Sequence, residues 1–68
     1  GLIRSSFVSD SGQTVAYVEV NPTVMARCVL KPEAVSLLAD KEPGSQVSVV
    51  GTYMGRDTYL NLQGCGFE

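Results

Sequence analysis

The stretch TVMARCVLKPEAVSLLADKEPGSQVSVVGTYM, residues 23–54, changes its hydrophobic period twice. In its first eight residues alternation places Val24, Ala26, Cys28 and Leu30 on one face of a β-strand. In KPEAVSLLADKEPG the apolar residues instead follow the spacing of a helical face. The last part, QVSVVGTYM, is again rich in β-branched residues. The stretch therefore predicts a strand, a short helix and a further strand in that order.

The sequence predicts helix boundaries as well as the helix itself, which we place at residues 32–41. Pro32 suits the first helical position, and Glu33 interacts favourably with the positive end of the helix dipole. Pro43 and Gly44 mark the end of the helical segment. A helix of two to three turns is too short to be stable alone, so it must pack against an apolar surface.

The apolar residues of this helix share the spacing of one face and are Ala34, Val35, Leu37 and Leu38. We expect Val35 and Leu38 to be largely buried, because they would close one end of the fold. Lys41 and Glu42 follow this face, and we expect both to remain in water.

In addition to this strand at 23–30, which is the third along the chain, four strands are predicted. They lie at residues 2–8, 14–20, 46–54 and 58–67. Turn signals separate them at residues 9–13, at Asn21-Pro22 and at 55–58. In the fourth strand, Val47 and Val49 are predicted to point inward. Gly51 is predicted to mark a bend or bulge there, as glycine inside a strand often does.

The last strand is predicted to change register at Gly64. Leu60 and Leu62 lie on one face before that point, and Cys65 and Phe67 return to the inner face after it.

The resulting order, β-β-β-α-β-β, predicts an all-β protein with one short helix. Five strands, a helix between the third and fourth, and glycines at bends fit the OB-fold, a five-stranded Greek-key barrel whose helix plugs its open end. We predict a single OB-fold domain over residues 1–68. Because the chain starts inside a strand-like run without an initiator Met, we interpret it as a piece of a longer protein.

Composition restricts the classes of function. The net charge is −2 with only five Lys and Arg residues, which weighs against tight, nonspecific binding of polyanions. Two Cys and no His leave a four-ligand zinc site incomplete, so neither a metal nor another cofactor is expected. We also predict no enzymatic activity, since neither a Gly-rich phosphate loop nor a nucleophile–base pair is present. No apolar run approaches the length of a membrane span.

The segment CVLKPEAVSLLADKEPGSQVSVVGTYMGRDTYLNLQGC, residues 28–65, resembles the tRNA_anti-like OB-fold domains. Those domains have a Cys-containing third strand, a short helix, a Gly-x-x-Val-x-Val-x-Gly strand and a final strand of Leu-x-x-Cys type. The matching positions are Cys28, the helix at 32–41, Gly44, Val47, Val49, Gly51, Leu62 and Cys65. The resemblance covers roughly residues 26–68. It implies binding of nucleic acid of the anticodon type, and many such domains belong to small, often exported bacterial proteins.

An OB-fold presents its ligand to the second and third strands and to the loops after strands one and four. The outward residues at these places are Tyr17, Met25 and Arg27 on the strands, and Tyr53, Arg56 and Tyr59 around the 54–58 loop. Such residues suit single-stranded nucleic acid, because bases stack on aromatic rings above a basic groove. The alternative is that the tyrosines complete the packing of a small barrel.

The two cysteines form a second candidate site. In an OB-fold the third strand lies beside the fifth, so Cys28 and Cys65 are candidates for a disulfide. The alternative is two buried free thiols that pack as small apolar residues. A bridge would indicate an exported or periplasmic protein, and free thiols a cytoplasmic one.

Two functional hypotheses follow from these observations. The first is a protein-interaction or structural domain, which the acidic composition favours. The second is a weak binder of single-stranded DNA or RNA, which the family resemblance and the six candidate residues favour. The charge of the face formed by strands two and three distinguishes them, since a continuous positive groove would favour nucleic acid.

Overall fold

Five strands and one short helix follow one another in the predicted order. They are β1 (Leu2–Val8), β2 (Thr14–Asn21), β3 (Val24–Leu30), α1 (Pro32–Leu38), β4 (Val49–Arg56) and β5 (Leu60–Phe67). The computed structural model describes all 68 residues, Gly1–Glu68. The protein is therefore all-β with one short helix, as the alternating pattern predicts.

The strands form one sheet in the order β1-β2-β3-β5-β4. Strands β3 and β5 pair in parallel, and the other neighbours pair antiparallel. A parallel pair needs a long crossover connection, which α1 and β4 provide here.

The sheet does not close into a complete barrel, because β1 and β4 are its two ends and do not pair as strands. An isolated bridge joins Leu2 to Gln46. In addition, the Ile3 amide donates to the Ser45 carbonyl at 3.0 Å, and the Gly44 amide donates to the Ile3 carbonyl at 2.7 Å. Beyond Ile3 the register of β1 shifts, and residues 5–8 pair only with β2. The structure therefore shows a five-stranded open sheet with a short contact at one corner, and the sheet does not close into the predicted barrel.

The core lies on the inner face of this sheet. Its nine buried residues are Ile3, Ala16, Val18, Ala26, Cys28, Leu30, Ala34, Val47 and Cys65. The predicted alternation of β3 is confirmed, since Ala26, Cys28 and Leu30 are buried while Arg27 is exposed. Around this core pack the half-buried residues Leu38, Val49, Leu60, Leu62 and Phe67.

Helix α1 is shorter than predicted and ends at Leu38 instead of residue 41. After it, the Asp40 amide donates to Leu37 at 3.2 Å and the Lys41 amide donates to Leu38 at 2.9 Å. Both hydrogen bonds join residues three apart, as in a 3₁₀ turn, and this tighter turn takes the place of a further α-helical turn. The helix thus ends well before the Pro43-Gly44 signal.

The expected burial of the helix face is only partly correct. Ala34 is buried and Leu38, four residues later on the same face, is half-buried against the core. Val35 was predicted to be buried but is 37% exposed. The helix packs through its alanine, which turns the neighbouring valine toward the surface.

The two polar residues after the helix also differ from each other. Glu42 is exposed, as predicted, whereas Lys41 is half-buried. The Lys41 ammonium lies 5.6 Å from the centroid of the Phe67 ring, and a cation at this distance is attracted to the face of the ring.

The β4–β5 hairpin is displaced from its predicted position. Strand β4 begins at Val49 instead of residue 46, and it continues to Arg56 through part of the predicted turn. The connection to β5 is a short turn in which the Asp57 amide donates to the Tyr59 carbonyl at 3.0 Å.

Two glycines set the register of this hairpin, as predicted. At Gly51 the pairing shifts between Val50 and Thr52. A Cβ atom on Gly51 would lie 2.6 Å from the Cys65 sulfur, so the bulge makes room for a fully buried thiol. Gly64 has a φ of 61°, in the left-handed region that favours glycine. The turn at Gly64 directs Cys65 back to the core.

Candidate functional site

Three aromatic rings form a row on the outer face of the sheet, opposite the core. The rings of Phe7 on β1 and Tyr17 on β2 are stacked with centroids 5.9 Å apart. Tyr17 also meets the ring of Tyr59, which precedes β5, at 5.2 Å. Strand alternation places these side chains outward, and strand pairing brings three distant parts of the chain together. We call Phe7, Tyr17 and Tyr59 the aromatic row.

Arg27 lies beside the aromatic row, because its strand position is paired directly with Tyr17 on one side and with Asn61 on the other. A carboxylate faces this arginine from the β4–β5 turn. The pKa of Asp57 is lowered mainly by the Tyr59 amide, which donates to Asp57 Oδ1 at 2.9 Å. The Asn61 side chain and the positive charge of Arg27 lower it further. Asp57 is therefore ionised at neutral pH and offsets the charge of Arg27.

A second acid–base pair lies on the same side of the sheet. Arg4 Nη2 donates to Glu19 Oε1 at 2.8 Å, and Arg4 Nε donates to the same oxygen at 3.2 Å. Since both Arg4 and Arg27 have a carboxylate nearby, this face does not form a continuous positive groove.

The structure brings together some of the residues that the sequence singled out. Tyr17, Arg27 and Tyr59 converge at the aromatic row, and Met25 lies on the same face, paired with Glu19. Tyr53 and Arg56 are paired with Leu62 and Leu60, which pack against the core.

Strand alternation therefore places Tyr53 and Arg56 on the opposite side of the sheet from Tyr59. Sequence reasoning missed Phe7 as a member of the aromatic row. Its alternation with Ser5 indicates the outward face, but only the register with β2 brings its ring to Tyr17.

The two ends of the sheet expose apolar side chains. On β4, Val50, Tyr53 and Met54 are exposed, with Tyr53 at 60%, and this strand pairs only with β5. On β1, Phe7 and Val8 are exposed next to an edge that has no partner beyond Ile3. A strand edge offers unpaired backbone donors and acceptors, so these edges can pair with another chain.

Cys28 and Cys65 are free, fully buried thiols in this structure. They lie on the neighbouring strands β3 and β5, where Leu30 is paired with Cys65. Burial, together with the neighbouring Cys65 thiol, raises the pKa of Cys28 to about 12. Burial also raises the pKa of Cys65. Both groups are therefore protonated at neutral pH and are poor nucleophiles.

Neither a cluster of metal ligands nor a helix that could span a membrane is present in the chain. No three or more His, Cys, Asp or Glu side chains are grouped in a way that could hold a metal ion. Helix α1, with seven residues, is too short to cross a bilayer.

Comparisons of the chain with family models, with curated proteins and with solved structures found no match.

Proposed function

We propose that this protein is a non-enzymatic OB-fold domain that binds a protein partner. The OB-fold assignment is supported by the strand order, by the parallel pairing of β3 with β5 and by the helix between β3 and β4. The resemblance of residues 26–68 to the tRNA_anti-like domains agrees with it. The bridge from Leu2 to Gln46 lies where β1 and β4 would meet in a closed barrel.

The observation that carries the proposed function is the pair of free strand edges with exposed apolar side chains. Strand edges are usually blunted by charges or covered, because they template pairing with other chains. Here β4 exposes Val50, Tyr53 and Met54, and β1 exposes Val8. Strand addition at a sheet edge is a common way in which domains bind extended peptides.

A selection from a displayed library of random peptides tests this function. We expect the folded domain to enrich peptides with alternating apolar residues, and Val50→Lys or Val8→Lys to weaken the binding of the enriched peptides. Val20→Lys is the matched control, since Val20 is also exposed but lies on the internal strand β2. If the folded domain enriches no peptide above the heat-denatured chain, the proposal is wrong.

Weak binding of single-stranded nucleic acid is the second candidate, and the aromatic row favours it. Stacking of one base on an aromatic ring contributes about 1–3 kcal/mol. The Arg4–Glu19 salt bridge and the negative charge of Asp57 near Arg27 oppose it, because phosphate contacts supply most of the affinity for nucleic acids. We therefore rank it below protein binding.

Fluorescence anisotropy with a short single-stranded oligonucleotide tests this candidate at low and physiological salt. If the aromatic row binds bases, Arg27→Ala should reduce the salt dependence by about 0.7 in the log–log slope, the contribution of one phosphate contact. Arg56→Ala is the matched control, because Arg56 is on the other side of the sheet. The reverse result would place the nucleic acid at the β4–β5 hairpin. No binding at low salt would eliminate the candidate.

A further inference from the structure

A groove runs between helix α1 and strand β1 along the open side of the sheet. Three adjoining cavities form it, with volumes of about 410, 490 and 90 Å³. The first two share Thr14 and Val35, and the last two share Ser6, Leu38 and Lys41. We call this feature the β1–α1 groove. Its larger cavities are within the range that binds small ligands or peptide side chains.

One wall of the β1–α1 groove is an unpaired strand edge. No backbone hydrogen bond joins residues 4–8 to any segment other than β2. The bonds from Ile3 to Ser45 and Gly44 stop where the groove begins. An additional strand could therefore continue the pairing that residues 44–47 make with the start of β1.

The other wall supplies apolar contacts. Val35 and Val8 are exposed at one end of the groove, and Leu38 is half-buried farther along it. Val35 is 37% exposed on a helix that faces an open cavity, so part of its apolar surface is in contact with water. An apolar side chain seated against Val35 and Val8 would remove that area from water.

The groove also has a charge. Lys41 is the only charged residue that lines any of the three cavities. Its ammonium is held near the Phe67 ring and has no carboxylate within salt-bridge distance, since the one salt bridge of the molecule joins Arg4 to Glu19. The groove is therefore complementary to a ligand with one negative charge.

The edge of β4 is a weaker candidate for the same role. Its register shifts twice within eight residues, at Gly51 and before Gly55. Bulges of this kind interrupt the row of backbone donors and acceptors, so the β4 edge offers fewer consecutive partners to an added strand. Residues 5–8 of β1 have a continuous register and border a groove, so they suit strand addition better.

We propose that the β1–α1 groove binds an extended peptide, which pairs with residues 5–8 of β1 as an added antiparallel strand and places an acidic side chain at Lys41. This inference rests on the proposed protein-binding function and specifies its site and ligand. Ser6, beside Lys41, and Val8, beside Val35, are two residues apart and share one face of β1. The peptide therefore needs an apolar residue and an acidic residue two positions apart. Antiparallel pairing places the apolar residue first.

The probe is the capped hexapeptide TTLTDT, in which leucine and aspartate point to the same side of an extended chain. The control peptide, TTLDTT, has the same composition, but its leucine and aspartate are adjacent and point to opposite sides. Both are titrated to millimolar concentration into the ¹⁵N-labelled protein, and binding is followed by the amide signals. We expect TTLTDT to shift signals of residues 4–8 and 35–41 and to bind at least about three-fold more tightly than TTLDTT, as for one surface ion pair of about 0.7 kcal/mol.

Matched variants identify the contacts. Lys41→Met should lower the affinity for TTLTDT by about three-fold or more. Lys31→Met removes a charge outside the groove and should leave the affinity for TTLTDT unchanged. Val35→Asp should abolish binding, whereas Leu37→Asp, on an exposed residue of the same helix that does not line the groove, should not.

The outcomes separate this inference from the proposed function. Equal binding of the two peptides, no response to Lys41→Met, or no shifts at millimolar peptide would each overturn the groove as an acidic-peptide site. Shifts confined to residues 49–56 would also overturn it but would leave protein binding through β4 intact. The broader function fails only if the random library, too, yields no peptide.

Discussion

Gly51 shows how one missing side chain determines the packing of its neighbours. Its backbone lies so close to β5 that an added Cβ would be 2.6 Å from the Cys65 sulfur and 3.1 Å from the Gln63 carbonyl oxygen. The glycine, the bulge and the buried thiol are therefore one arrangement, and a change in any of them alters the other two.

We expect Gly51→Ala to lower the free energy of unfolding by about 1–3 kcal/mol, the usual cost of overpacking. Chemical denaturation measures it. In a Cys65→Ala background the same substitution should cost less, because the nearest atom is gone, and a double-mutant cycle gives the difference. Equal costs in both backgrounds would show that the sulfur is not the source of the clash.

The raised pKa of Cys28 predicts that the free energy of unfolding depends on pH in the alkaline range. This pKa is raised from 9.0 to about 12 in the folded protein, mainly by burial and further by Cys65. The folded state thus holds a proton that the unfolded chain releases above about pH 9, so this stabilisation is complete below pH 9 and declines as the pH rises toward 12. The slope should be about 1.4 kcal/mol per pH unit for this thiol. Denaturation at pH 8 to 11 should show a flatter decline for Cys28→Ala, and identical slopes would contradict the shift.

At the scale of elements, helix α1 covers the core through two residues of one face, Ala34 and Leu38. Ala34 is buried, Leu38 packs against the core, and Leu37 is 46% exposed. Seven residues cannot form a stable helix alone, so tertiary packing stabilises this helix.

Leu37 and Leu38 provide a matched pair for measuring that packing. We expect Leu38→Ala to lower the free energy of unfolding by about 1–3 kcal/mol, somewhat less than the 2–5 kcal/mol typical of a fully buried leucine. Leu37→Ala should change it by about 0.5 kcal/mol or less, as surface substitutions do. Both substitutions alter helix propensity equally, so urea denaturation of the two variants isolates the packing term. Equal effects would mean that α1 does not cap the core through Leu38.

At the scale of the whole molecule, the β3–β5 pairing is the central long-range contact. It joins residues on either side of α1 and β4 and is the only parallel pairing in the sheet. Both cysteines lie on these two strands. A Cys28–Cys65 bridge remains a prediction, and it would link the two halves of the fold covalently.

We expect the unfolded, reduced chain to form this bridge when it refolds with oxidised glutathione, because the buried thiols react slowly once folded. A loop of about 37 residues predicts a gain of about 3–4 kcal/mol in unfolding free energy. Mass spectrometry would detect the loss of two hydrogens, and denaturation with and without reductant would measure the gain. A refolded protein that retains two free thiols would rule out the bridge.

The sequence by itself determined the elements and their order. Alternation in β3, the change of period at Pro32 and the turn residues between strands are local signals, and the structure confirms the elements that they predict, although the helix end and the β4–β5 turn are displaced. It also indicated Gly51 and Gly64 as irregular positions, since glycine inside a strand has few other roles. The candidate residues on β2 and β3 could also be assigned to one face of the sheet from the sequence, because side chains alternate between the two faces of a strand.

Only the tertiary structure decided how these elements meet. Whether β1 and β4 close the sheet depends on the path of residues 39–48 and on the register shift after Ile3, which involve contacts between distant segments. The exposure of Val35 follows from the orientation of α1 against the core, and a helical period does not determine that angle. The meeting of Phe7, Tyr17 and Tyr59 and the separation of Tyr53 from Tyr59 likewise depend on strand register. A bulge of one residue changes the face that a side chain occupies, so these features follow from packing across the whole sheet.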